Sequence, residues 1–106
     1  MKMTPAPGPY RLVYRSFDDI VWHSAKSDEI LSERGFDLGF VSRLFPGWVL
    51  ERQDTRSYRE TRYQAFGELL GIVYFIVYTR SGPTCRLITA WEADIDEERL
   101  WYDAFR

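Results

Sequence analysis

The chain has 106 residues, 45% hydrophobic and 17% aromatic, which suffices for one domain around one core. That composition excludes a disordered chain, and the single cysteine, Cys85, excludes an internal disulfide. The net charge of −2 gives no general attraction to nucleic acid, but the charges are unevenly placed.

Of the 14 basic residues, all but Lys2 and Lys26 are arginine. Residues 51–90 hold six arginines against four acids, and residues 91–106 hold two against six. No apolar run reaches the length of a membrane span, and the N-terminal stretch MKMTPAPGPY has no apolar signal core. A soluble, cytoplasmic protein without membrane association is expected.

In chain order, residues 1–17 read as an extended lead-in that includes a possible edge strand. Pro5, Pro7 and Pro9 keep its start extended, and Tyr10 to Arg15 alternates apolar and charged side chains. Residues 18–106 read as a single α+β domain. Ile20 to Trp22 forms a short strand after a turn at Asp18 and Asp19. His23 or Ser24 then caps a helix over residues 24–34, which Gly35 ends in left-handed geometry. Asp37 caps a second short helix, with Leu38, Val41, Leu44 and Phe45 at helical spacing and Pro46-Gly47 as its stop. Trp48 to Gln53 is a strand, residues 54–61 a loop, and Arg62 to Gly67 the next strand. Glu68 to Gly71 turns into the central strand, with Gly67 and Gly71 read as turn glycines.

Ile72 to Trp91 organises the rest. Its first half, IVYFIVYT, is β-branched and aromatic on both parities, which predicts a strand covered on both faces. Ser81-Gly82-Pro83 is a turn. TCRLITAW returns as the partner strand, with Arg86 alone among apolar neighbours. Asp94, with Glu97 three residues on, opens a C-terminal helix through a capping box. The predicted fold class is therefore α+β: an antiparallel β-sheet, two helices in the N-terminal half and one at the C-terminus.

The chemistry-bearing residues are mainly arginine and aromatic. His23 and Cys85 have no metal-ligand spacing, so no metal or other cofactor is expected. Arg56, Arg59 and Arg62 lie in or beside the 54–61 loop, and Arg80 and Arg86 lie near the two ends of the hairpin. Tyr58, Trp48 and Trp91 are candidates for base stacking. Such a set suits a phosphate backbone and a pentacovalent transition state, with the general base left open among His23, Glu51 and Tyr58. The alternative for the same arginines is a self-paired, solvated surface.

Several motifs resemble the BrnT family in order and spacing, over roughly Asp19 to Phe105. They are Trp22, Lys26 and Gly35; Leu44-Phe45-Pro46; Asp54, Tyr58, Arg62-Tyr63 and Gly67; Val77-Tyr78-Thr79 with Arg80; Cys85-Arg86-Leu87-Ile88-Thr89-Ala90; and Glu98-Arg99 with Tyr102. The resemblance implies a RelE-like fold and a ribonuclease toxin of a bacterial type II toxin–antitoxin pair. It would cleave RNA by hydrolysis or transesterification and arrest growth. It also implies a hetero-oligomer with a cognate DNA-binding, BrnA-like antitoxin. Carried onto this sequence, Arg62, Arg80 and Arg86 become the catalytic candidates, and Lys26, Arg56, Tyr58 and Trp91 the RNA-binding ones. The chain departs from the family pattern at Glu33-Arg34, where a Lys-His is usual, and at Trp91, where an arginine is usual. These departures motivate an alternative: a BrnT-like binding module that keeps its partner but does not cleave RNA.

Overall fold

The computed structural model describes residues 9–56 and 59–105. Six strands form one sheet: β1 (Arg11–Arg15), β2 (Asp19–Trp22), β3 (Gly47–Asp54), β4 (Arg62–Leu69), β5 (Ile72–Ser81) and β6 (Thr84–Glu92). Helices α1 (Ser24–Arg34) and α2 (Leu38–Val41), the latter extended by a 3-10 turn at Ser42–Leu44, lie between β2 and β3. Helix α3 (Ile95–Asp103) closes the chain. The strand order is β1-β3-β4-β5-β6-β2. The sheet is antiparallel from β1 through β6, but β2 pairs with β6 in parallel, so it is mixed rather than purely antiparallel as expected.

The local signals act as their chemistry predicts. Gly35 ends α1 at φ 82°, its N–H donating to the Leu31 carbonyl at 3.1 Å. The Asp37 carboxylate caps α2 by accepting from the Phe40 N–H at 2.8 Å. At α3 the Asp94 carboxylate accepts from the Glu97 N–H, while Glu97 accepts in return from the Asp94 N–H, at 2.8 and 3.0 Å. His23 occupies the N-cap of α1 without a side-chain hydrogen bond, so that helix draws its position from packing instead. Buried Ile30 supplies the packing, and the buried Ser27 hydroxyl accepts from the Leu38 N–H at 3.0 Å, tying α1 to α2.

Strand β5 is covered on both faces, as its two apolar parities predict. Tyr74, Ile76 and Tyr78 point to the face packed by Ile30, Leu38, Val41 and Leu44. Val73, Phe75 and Val77 point to the other, where Trp101 of α3 seats. The buried Trp101 ring meets its polar need through Nε1, which donates to Glu68 at 3.1 Å. In β6 the register shifts opposite Val77 and Tyr78, so Ile88 is skipped by the ladder. This bulge puts Leu87 and Ala90 on one face although they are three residues apart.

Strands β1 and β2 occupy opposite edges, yet only Ser16, Phe17 and Asp18 join them. In a flat sheet the edges would lie roughly 24 Å apart, at about 4.8 Å per strand, whereas the link from Arg15 to Asp19 reaches at most about 14 Å. The sheet must therefore curl until its edges approach. Phe17 fills the crossing, its ring 5.0 Å from that of Phe45 and 6.3 Å from that of Tyr78. The Asp18 and Asp19 amides anchor the link on the Pro83 carbonyl at 2.8 and 3.3 Å.

Gly67 is not a turn glycine. It lies within β4, and a Cβ there would come 2.5 Å from Leu44 Cδ2. The turn falls at Leu70 and Gly71, both with positive φ. Because Leu44 is buried, Gly67→Ala is expected to destabilise the protein by about 1–3 kcal/mol through overpacking. Denaturant unfolding, with the midpoint lowered and the slope unchanged, checks this.

Candidate nucleic-acid site

Tyr63, Ala65, Ile76, Tyr78, Cys85 and Leu87 share the face covered by α1 and α2. Side chains alternate along a strand, so Arg80 joins that face, while Arg62, Thr79 and Arg86 lie on the opposite one. Arg80 pairs through its backbone with Cys85, one step from Arg86, yet the two guanidiniums leave the sheet in opposite directions. The three arginines expected to act together are thus divided between two faces at one end of the sheet.

On one face, Arg62 and Arg86 converge on Glu60. Arg86 Nη2 lies 2.5 Å from Glu60 Oε2, and Arg62 Nη2 lies 3.5 Å from Oε1. The hydrogen bond from Arg86, reinforced by the charges of both arginines, holds the Glu60 carboxyl below the usual carboxylate range. Arg86 also borders a notch of about 390 Å³ with Leu87, Ile88, His23, Ala25, Lys26 and Glu29. The notch exists because β2 stops opposite Leu87, where the chain turns away into α1. Lys26 stands in the first turn of α1 and pairs with Glu29 at 3.5 Å.

On the other face, Glu51 is the centre. It is 6% exposed and accepts from Arg15 through two hydrogen bonds, at 2.7 and 3.1 Å. The Tyr78 hydroxyl donates to the same carboxylate, and Arg80 Nη2 reaches it at 3.4 Å. Burial alone would raise the Glu51 pKa. The hydrogen bonds from Arg15 and Tyr78 and the charges of Arg15 and Arg80 outweigh it, and Glu51 stays ionised below the usual carboxylate range. Burial raises the Tyr78 phenol above its ordinary value, and the Glu51 charge adds to this. Burial likewise pushes the Cys85 thiol up to about 12, so it is expected to resist alkylation at pH 8 until the protein unfolds. The Arg80 guanidinium also lies 4.0 Å over the Tyr63 ring.

The remaining candidates separate from these groups. Arg56 clamps the buried Asp54 carboxylate, with Nη2 to Oδ2 at 2.6 Å. Trp91 stacks on Phe75 at 4.4 Å and belongs to the cluster beneath α3, which gives its ring a packing role. Tyr58 lies outside the described residues. Among the described residues no group of three or more His, Cys, Asp or Glu side chains gathers as a metal site, and no helix is long and apolar enough to cross a membrane. The sequence reading passed over Arg11 and Arg15, although the alternation from Tyr10 to Arg15 already put both on one side of a strand.

Residues 22–97 match the family model described as the ribonuclease toxin BrnT of type II toxin–antitoxin systems. The chain belongs to the BrnT toxin family. The match takes in Lys26, Arg62, Arg80, Arg86, Glu51 and Glu60, and leaves out β1 with Arg11 and Arg15. No curated protein matches the chain. BrnT proteins are by description the toxin half of a toxin–antitoxin pair, so membership brings an antitoxin partner with it.

Proposed function

We propose that the chain is a ribonuclease toxin that cleaves RNA in the bacterial cytoplasm, arrests growth, and is neutralised by a cognate DNA-binding, BrnA-like antitoxin. The observation that carries this reading is the convergence of Arg62 and Arg86 on Glu60, beside a notch holding Lys26 and His23. Two guanidiniums from different strands already clasp one surface carboxylate. An RNA phosphate offers the same paired oxygens with the same charge, and competes with Glu60 for the two guanidiniums. As a 2′-hydroxyl or water oxygen adds to phosphorus, charge builds on the equatorial oxygens, and donors fixed in advance stabilise it. Arg80 lies on the opposite face and is not part of this clasp.

Inducing the chain alone in bacteria tests the reading. Growth arrest accompanied by loss of intact RNA, both reversed when the antitoxin is co-expressed, is the expected result. Normal growth and intact RNA from soluble, folded protein would overturn it.

One observation favours a second reading. Trp91 stands where the family pattern has an arginine and is stacked into the core on Phe75. A chain lacking that charge fits a binding module that retains its antitoxin without cleaving RNA. Copurification of a partner with no RNA loss would select this reading.

A further inference from the structure

A cleft of about 350 Å³ opens on the face opposite the Arg62 and Arg86 clasp, bordered by Arg11, Arg15, Arg52, Arg80, Glu51 and Tyr63. Its size is at the lower end of the range for ligand sites. Three of these arginines, Arg11, Arg15 and Arg80, share the face of one carboxylate, Glu51, in a chain whose overall charge is −2. The single acid does not neutralise the cleft, because Glu51 is already consumed: Arg15, Arg80 and Tyr78 all bond to it. Arg11 is exposed and has no ion-pair partner among the described residues, where most of the arginines pair with an acid. Arg52 only borders the cleft: its guanidinium turns to the other face, held by Gln64, at 2.8 Å, and by the Tyr10 ring, at 4.3 Å from its centroid. Fixed guanidiniums around a surplus of positive charge are what an anionic polymer requires.

We infer that this cleft is a second backbone-phosphate subsite for single-stranded RNA, with Arg11 and Arg80 as its phosphate contacts and Glu51 and Arg15 as positioning residues. The inference rests on the ribonuclease reading for the identity of the polymer. Arg62, Arg80 and Arg86 all lie at the same end of the sheet, so one RNA strand passing around the ends of β4 and β5 meets both faces. Arg11 and Arg15 stand outside the stretch matched by the family model, residues 22–97.

The test is equilibrium binding of a fluorescently labelled, 2′-O-methylated single-stranded RNA, which the protein cannot cleave by 2′-hydroxyl attack, measured against salt concentration. Arg11→Gln is expected to weaken binding about fivefold at 0.1 M salt and to lower the magnitude of the log–log salt slope by about 0.7, the share of one phosphate. Arg99→Gln, which removes an exposed arginine of α3, is expected to change neither. The Arg11 effect is expected to persist in an Arg62→Gln, Arg86→Gln background. Wild-type affinity and slope in Arg11→Gln would overturn the subsite, even if unmodified RNA is still cleaved. An Arg11-dependent slope without cleavage of unmodified RNA would uphold the subsite and remove the ribonuclease reading. Absence of RNA binding by the wild type would overturn both. Displacement of the RNA by a polyglutamate peptide of equal charge, from wild type but not from Arg11→Gln, would assign the cleft to an acidic protein segment and overturn the inference.

Discussion

Cells expressing the Arg62→Ala, Arg86→Ala double variant are expected to grow normally and keep their RNA intact, where the unmodified chain is expected to arrest growth. Removing one preorganised charge donor from a phosphoryl-transfer site costs on the order of 10²–10³ in rate. Two donors acting on the same phosphate need not add, so the double variant is expected to lose at least as much as either single one. The variant is expected to remain folded. Both side chains are about one-third exposed, and their pairing with Glu60 is a surface contact of small net worth. A cleavage assay on purified protein, paired with thermal unfolding of the same sample, separates the outcomes. Lost cleavage with unchanged melting places both arginines in the site. Lost melting temperature with residual cleavage in the folded fraction makes them structural.

The opposite balance is expected at Glu51. Glu51→Gln leaves the geometry of the side chain but removes the charge that Arg15 and Arg80 share. Breaking a buried pair by deleting one partner costs about 3–5 kcal/mol, and because the two arginines are 28% and 30% exposed, solvent screening reduces this to roughly 2–4 kcal/mol. In a domain of this size that corresponds to a fall of roughly 10–20 °C in melting temperature. The pH dependence has a definite sign. The folded carboxyl lies below the reference 4.5, so its contribution is complete above about that pH. It is lost as pH falls through the lower folded value. Wild type is therefore expected to lose stability on acidification through this range more steeply than Glu51→Gln. Parallel acid profiles of the two proteins would show that Glu51 is not the group responsible.

Both experiments concern residues whose neighbours in the sheet follow from register and not from sequence order. The family resemblance groups Arg80 with Arg62 and Arg86, and hairpin pairing places Arg80 near Arg86. Backbone proximity was read correctly, since Arg80 pairs with Cys85, but proximity along a ladder does not give the face. A shift of one residue reverses every side chain, so the parity that sends Arg80 to Glu51 and Arg86 to Glu60 depends on register. Glu51 was one of three candidates for a base. Its saturation by Arg15, Arg80 and Tyr78 makes it an anchor first, and the partners come from two strands, β1 and β5, that lie 27 to 36 positions from it in the chain.

What the sequence determined by itself is local. Alternation and β-branching marked β5 and β6, and two apolar parities marked β5 as covered on both sides. Gly35, Asp37 and Asp94 marked helix ends, because a left-handed glycine or a capping carboxylate acts within a few residues of where it stands. The order and spacing of the motifs carried the family resemblance that the match over residues 22–97 supports. The tertiary structure alone decided that β2 joins β6 in parallel, that the sheet curls to bring β1 and β2 together, and that Gly67 makes room for Leu44. It also decided the division of the arginines between the two faces of the sheet. Strand partners and register are selected by burial summed over the whole sheet, and no short window of sequence contains that sum.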